Sequence, residues 1–361
     1  MKIKEIEMAE VGEAVKLHNS TYNDKRTLKQ WIWEYGSNYP ELSVFTVVKN
    51  QDGKIVGTQG MIPVYINING DVFLSGKSES SLLHPSCRGK GLFGCLYSYA
   101  MSLCKEQNMS CVWGLTTAVR AVKVLRNKLG FSVFEDAIYE SRLILNLSGS
   151  ISPVQEPNTK LILKMKDSGM AFLLFANALV RRYTHRVRKQ TLESVSIEEK
   201  PRSRDDISEL YKRLRAEARN LIHLSLDEKY IAWRVLHNPN VRYLTFFAYK
   251  NNSLGAYCYV ALRKREAYLA DLTFEDYDGA DLLLRRVIQL CRERNIRCLY
   301  FIGNIRNPLI AKIFDLLRRN GFSKRSRTTF VLKNISYSNP QFLNDIRNWY
   351  VNGLWTEGFR F

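Results

Sequence analysis

Between Leu83 and Leu96 the chain reads LHPSCRGKGLFGCL, a run that joins basic side chains to closely spaced glycines. An apolar run stops at Pro85, then Arg88, Gly89, Lys90 and Gly91 supply positive charge and backbone N–H groups, and a helical pattern begins at Leu92. Glycine lets the main chain turn with its amides pointing inward, and a helix starting there adds the positive end of its dipole. A strand that hands over to a helix in this way can hold an anion, and a polyphosphate is the natural guest. Taken by itself the segment also reads as a basic surface turn, because short glycine-rich motifs recur by chance.

Upstream, residues 44–48 and 54–60 read as strands joined by the turn Asn50-Gln51-Asp52-Gly53, and 64–68 with 72–75 bracket the hairpin turn Asn69-Gly70. Downstream, 92–107 reads as a helix, 110–114 as a strand and 118–129 as a helix stopped by Gly130. Residues 3–6 read as a first strand and 10–19 as a helix, followed by a helical segment carrying Trp31 and Trp33.

This order, with RGKGLF at 88–93 and NKLGF at 127–131, resembles the GNAT superfamily of N-acyltransferases. The acyl-CoA signature of that family runs Gln or Arg, two residues, Gly, one residue, then Gly or Ala. Arg88 and Gly91 fit it, and Phe93 stands where a small residue is usual. The resemblance implies an α/β (α+β) fold, acetyl-CoA or another acyl-CoA as co-substrate with no metal, and direct attack of a primary amine on the thioester. It implies that the main chain at Leu82, Leu83 and His84 bonds the pantetheine, and that Arg88, Gly89, Lys90, Gly91, Leu92 and Phe93 surround the pyrophosphate. Thr117 and Arg126 are placed on the cofactor side as well.

The attacking amine must lose its proton to a base. Strand alternation sets Lys77, Glu79, Ser81 and Leu83 on one face, and Glu79 is the carboxylate in that row, so it is the expected base. Matched by spacing from Arg88, the family's commonest glutamate position falls on Lys77, which is assigned to the acceptor side with Trp31 and Trp33. Both tryptophans read equally well as core. Where the family often carries a tyrosine that protonates the leaving thiolate, this chain has Arg126, whose cation could stabilise the thiolate; Tyr97 or Tyr139 could instead supply the proton, with Tyr139 the expected acid, or no acid is needed.

The sequence also contains a repeat. LCKEQNMSCVW at 103–113 matches LCRERNIRCLY at 290–300, LRNKLGF at 125–131 matches LLRRNGF at 316–322, and Trp33 with Asn38 and Pro40 matches Trp233 with Asn238 and Pro239. The chain thus reads as two tandem GNAT-like modules, each a mixed, mostly antiparallel sheet flanked by helices: 1–147, a linker loop and basic helix at 148–200, and 201–361. In the second copy LTFEDYDGAD replaces the glycine-rich turn, and Glu275, Asp276, Asp278 and Asp281 would repel a pyrophosphate. Only the first copy is expected to hold acyl-CoA. Thr328–Leu332 should complete the second sheet, and the aromatic segment 342–361 should dock.

Composition narrows the class. The 361 residues carry 54 basic and 35 acidic side chains for a net +19, with 45% apolar residues, enough for a sizeable core in two domains. No apolar leader follows MKIKEIEMAE and no apolar run is long enough to span a bilayer, so a cytoplasmic protein is expected. Seven cysteines without metal spacing agree with a reducing compartment. The expected partners are acyl-CoA and a small amine acceptor, an amino sugar or nucleotide sugar of surface-polysaccharide biosynthesis by resemblance. Nucleic acid is disfavoured because the basic residues are scattered, and peripheral membrane contact stays open. Two alternatives also stay open: a Fem-like transferase with an aminoacyl-tRNA donor, and a non-catalytic CoA-binding module.

Overall fold

The computed structural model describes residues 1–22, 25–36, 43–146, 195–218 and 220–356. The linker read at 148–200 lies outside these up to residue 194, as do its basic helix, Asn38 and Pro40.

The first half runs β1 (Lys2–Glu5), α1 (Val11–Tyr22), α2 (Leu28–Tyr35), β2 (Val44–Lys49), β3 (Ile55–Ile68), β4 (Asp71–Leu83), α3 (Leu92–Glu106), β5 (Cys111–Thr116), α4 (Val119–Leu129) and β6 (Ser132–Ile144). The second half repeats the order: β7 (Val195–Glu198), α5 (Asp206–Ala218), an added β8 (Ile222–Leu224), α6 (Glu228–Ile231), β9 (Arg242–Lys250), β10 (Ser253–Arg263), β11 (Glu266–Phe274), α7 (Tyr277–Glu293), β12 (Cys298–Asn304), α8 (Pro308–Arg319) and β13 (Ser323–Asn334). A tail with α9 (Pro340–Asn344) follows.

Local signals account for these elements. Asn69 and Gly70 both have positive φ and close the β3–β4 hairpin. Thr27 and Gln30 form a capping box at the start of α2, and Gly130 ends α4 in the left-handed region at φ 64°. The two strands read at 54–60 and 64–68 are one, continuing through Pro63, which lies beyond the point where β2 ends against Met61.

The thirteen strands among the described residues join one sheet, in the order β1-β2-β3-β4-β5-β13-β6-β12-β11-β10-β9-β7, with β8 added to β3. Among the described strands, β4–β5 and β11–β12 are the pairs that run parallel. The order reads the same from either end once the halves are matched, so the sheet has a pseudo-twofold axis at its centre. The last strand of each half crosses that axis. β13 sits between β5 and β6, facing β5 from Thr329↔Thr116 to Asn334↔Cys111, and β6 pairs with β12. The expectation that Thr328–Leu332 completes the second sheet is therefore corrected: β13 pairs with β5 of the first half.

Near the same axis Trp33 and Trp233 stack with ring centroids 5.6 Å apart. Each indole N–H donates to the other's carbonyl, at 2.9 and 2.8 Å. Trp33 and Trp233, matched in the sequence repeat, are thus partners in space. The tail docks over the centre, with Trp349, Tyr350 and Trp355 buried and Trp355 edge-on to Trp113 at 4.5 Å.

Candidate active site

The site starts where two strands part. β4 and β5 pair at two rungs, Gly76↔Val112 and Lys77↔Trp113, and then separate. A bulge opens the gap further. Ser80 and Ser81 together face Gln59, and Ser80 takes φ 50°, a cost met by hydrogen bonds to its hydroxyl from Tyr35 Oη (2.9 Å) and Arg26 Nη1 (3.0 Å). Arg26 is itself paired with buried Glu34.

Into this gap opens a cleft of about 520 Å³. Glu79 and Ser80 line it from β4, Thr116 from β5, Thr117 beyond it, and His18 and Tyr22 from α1. The far wall is apolar, made by Phe93 and Tyr97 one turn apart on α3, Leu125 on α4 and Val331 on the exchanged strand β13. No lysine or arginine lines it, and Glu79 is its one carboxylate among the described residues. Tyr97 donates to Ser78 Oγ at 2.7 Å, and burial pushes its hydroxyl well above the ordinary tyrosine range. It stays protonated and can donate.

Phe93 links this cleft to the glycine-rich turn. Gly89 and Gly91 have φ of 80° and 76°, which only glycine takes without strain, and α3 starts at Gly91 with no side-chain cap. A Cβ at either glycine would meet nothing within 4 Å, so the turn leaves open space in front of the first-turn amides of α3. Arg88 and Lys90 are exposed beside it, and Arg88 Nε donates to Leu83 O at 3.1 Å. These residues fit a polyphosphate. At the end of β4, His84 N–H donates to Val56 O (2.8 Å), so by the alternation of an antiparallel ladder the peptide groups of Leu83 turn the other way, toward the gap. Leu82 is buried, Leu92 packs with Leu83 under the turn, and the His84 ring is engaged by Ser86.

The second half shows what closing such a site looks like. At the start of α7 the Asp276 carboxylate accepts from Gly279 N at 2.8 Å, and Lys250 and Arg213 hold Asp276 and Glu275. The helix end is capped by its own side chain. Asp271, buried and bonded to Tyr257, Thr273 and Asn352, fills the corresponding interior.

Several expected site residues lie elsewhere. Tyr139 is on β6, and because β13 inserts between β5 and β6 it does not line the cleft. Arg126 is exposed and paired with Glu135, since the face of α4 toward the cleft is Ala118, Ala121 and Leu125, a helical step away. Trp33 is committed to Trp233, and Trp31 packs on Tyr35 and Phe45. Neither forms part of the cleft wall. Lys77 is buried in contact with Glu79, and the bulge breaks the row of alternating residues after these two, turning Leu83 toward α3. His18, Tyr22 and Thr116 were not anticipated. Nothing in the helical pattern of α1 distinguishes a residue aimed at the gap from one aimed at solvent.

Residues 2–128 match the family model described as an acetyltransferase (GNAT) domain. No curated protein matches. Among solved structures, a tandem GNAT protein from the clavulanic acid biosynthesis pathway is similar at 14% identity and TM-score 0.57, covering 94% of this chain and 99% of its own. A GCN5-related N-acetyltransferase from Anabaena variabilis is similar at 13% identity and TM-score 0.58, over 92% of this chain and 72% of its own. A third, the glucosamine N-acetyltransferase region of a fungal multi-domain GH3 beta-N-acetylglucosaminidase, is similar at 12% identity and TM-score 0.57, over 92% and 38%. Among the described residues no helix is long and apolar enough to cross a membrane, and no group of three or more His, Cys, Asp or Glu side chains is placed to hold a metal ion.

Proposed function

We infer, from the premise that this chain belongs to the GNAT superfamily, that it transfers an acetyl or other short acyl group from acyl-CoA to a primary amine at the β4–β5 gap of its first half. The observation that carries this reading is one continuous arrangement. An uncapped helix start with two positive-φ glycines stands at one end, and through Phe93 it adjoins a cleft that contains a single carboxylate, Glu79.

In this reading the amides from Gly89 to Phe93, with Arg88 and Lys90, hold the pyrophosphate by the helix dipole and by charge. The peptide group of Leu83 aligns the pantetheine and polarises the thioester carbonyl, a contribution of orientation and of charge stabilisation worth several kcal/mol, on the order of 3. Glu79 takes the proton of the acceptor ammonium. Tyr97, held protonated by burial, gives a proton to the departing thiolate, the role expected of Tyr139.

The acceptor side supports a hydroxyl-rich amine such as an amino sugar. Its described residues offer hydroxyls from Ser78, Ser80, Ser81 and Thr116 and the ring of Tyr22, groups suited to hydrogen-bonding a sugar's hydroxyls. All seven cysteines are unpaired, as a reducing compartment such as the cytoplasm favours.

The test combines calorimetric titration of acetyl-CoA with thiol release across amino sugars, nucleotide sugars, amino acids and simple alkylamines. The reading expects acetyl-CoA to bind and amino sugars to turn over best. Binding without turnover on any amine would leave a CoA-binding module, and binding of aminoacyl-tRNA without CoA would overturn the donor assignment.

A further inference from the structure

Glu79 is not an isolated carboxylate. Its Oε1 is in direct contact with Lys77 Nζ, and the two side chains keep only 5% and 6% of their surface exposed. They meet because residues two apart on a strand share a face. Their surroundings differ, however. Glu79 lines the cleft and Lys77 does not. Lys77 stands on the last rung at which β4 still pairs with β5, opposite Trp113, whose ring is covered by Trp355 of the tail. The buried ammonium thus contacts the carboxylate without itself lining the cleft.

The other titratable groups around Glu79 are placed differently. Arg26, from the α1–α2 connection, is paired with Glu34 of α2 and reaches Ser80. Tyr35 of α2 also bonds Ser80, and His18 and Tyr22 of α1 face the cleft. Tyr97 of α3 is bonded to Ser78, while β3 and β5 present Gln59, Gly60 and Gly114, which do not titrate. Among the described residues Lys77 is the cation in contact with Glu79.

We propose that Lys77 is a positioning residue that holds Glu79 ionised and aimed at the acceptor, and so sets the lower pH limit of transfer. This rests on the reading of Glu79 as base. Burial by itself favours the protonated form of a carboxyl group, and a protonated Glu79 cannot accept a proton. With Lys77 in contact with it, the acceptor ammonium passes its proton to an ionised Glu79. The acceptor becomes a neutral amine and Glu79 a neutral acid, beside a lysine that keeps its charge.

The experiment compares wild type with Lys77→Met, Lys77→Arg and Lys77→Met/Glu79→Gln. In the pH profile of kcat/KM, Lys77→Met should move the acid limb upward by about one pH unit or more and recover most activity at high pH. Lys77→Arg should leave the limb in place. A limb that stays put while the plateau falls would overturn the proposal. A second readout needs no turnover: the melting temperature followed from pH 5 to 9. Lys77→Met should lose stability as pH rises, because the unpaired carboxylate ionises more readily in the unfolded chain, and the double variant should not show this loss. If Lys77→Met melts with the same pH dependence as the double variant, the two groups are uncoupled and the proposal fails. If the melting data show coupling and no amine is turned over, the reading of Glu79 as base fails instead.

Discussion

Replacing Gly91 by Asp should convert the open helix start of the first half into the closed one of the second. Nothing lies within 4 Å of a Cβ at Gly91, so the side chain fits. Its φ of 76° is one that Asp tolerates at a cost of about 1 kcal/mol. The new carboxylate can cap the first turn of α3 as Asp276 caps α7 through Gly279 N. It would then occupy amides needed by the pyrophosphate and place a negative charge roughly 5 Å from two others. With an effective dielectric of about 40, each such pair costs ~1.7 kcal/mol before screening. Salt reduces the sum for two charges to about 2–3 kcal/mol, or roughly 30- to 150-fold in Kd. Gly91→Asn carries the strain and the cap without the charge, so the difference between the two variants isolates repulsion. Titration calorimetry with acetyl-CoA measures both, and the difference should shrink between 0.1 and 1 M salt as the Debye length falls from about 10 to about 3 Å. A folded Gly91→Asp protein that binds acetyl-CoA within about threefold of wild type would refute the assignment of this turn to the pyrophosphate.

Three further outcomes follow from the fold. Trp33→Ala and Trp233→Ala should each cost about 3–5 kcal/mol in urea unfolding, and the double variant should cost at least ~1 kcal/mol less than their sum, because each ring stacks on and donates to the other residue. A chain ending at Asn146 lacks β13, which separates β5 from β6 and supplies Val331 to the cleft; it should show no cooperative melting and no acetyl-CoA binding by calorimetry. His223 is buried against Tyr211, and burial lowers its pKa from 6.5 to about 3. Arg215 at 3.2 Å can only donate to its Nε2, so Nδ1 carries the proton toward Leu224 O. The unfolded chain takes up this proton first, so the contribution is present above about pH 6.5 and is lost as pH falls toward 3. This amounts to on the order of 4 kcal/mol, and His223→Gln should flatten that part of the stability curve.

Features that depend on near neighbours along the chain could be read from residue order. The Asn69-Gly70 turn, the stop at Gly130 and the glycines at 89 and 91 are set by φ preferences that a few residues express, and each appears in the structure where the sequence puts it. The repeat was legible because matching residues recur in the same order along short blocks, and so was the loss of the open turn in the second copy, since carboxylates there are a local fact. The tertiary structure alone decided which distant segments meet. Strand alternation cannot reveal that β13 crosses to β5, because its apolar pattern fits either sheet, and this crossing is what removes Tyr139 from the cleft and brings Val331 in. It also cannot reveal the bulge at Ser80, which arises from a contest between strand pairing and the side chains of Arg26 and Tyr35 that hold the hydroxyl. For the same reason Trp33 read equally well as a wall of the acceptor pocket and as core. Helical phase places it on one face, and only the packing of the two halves shows that the face is covered by Trp233.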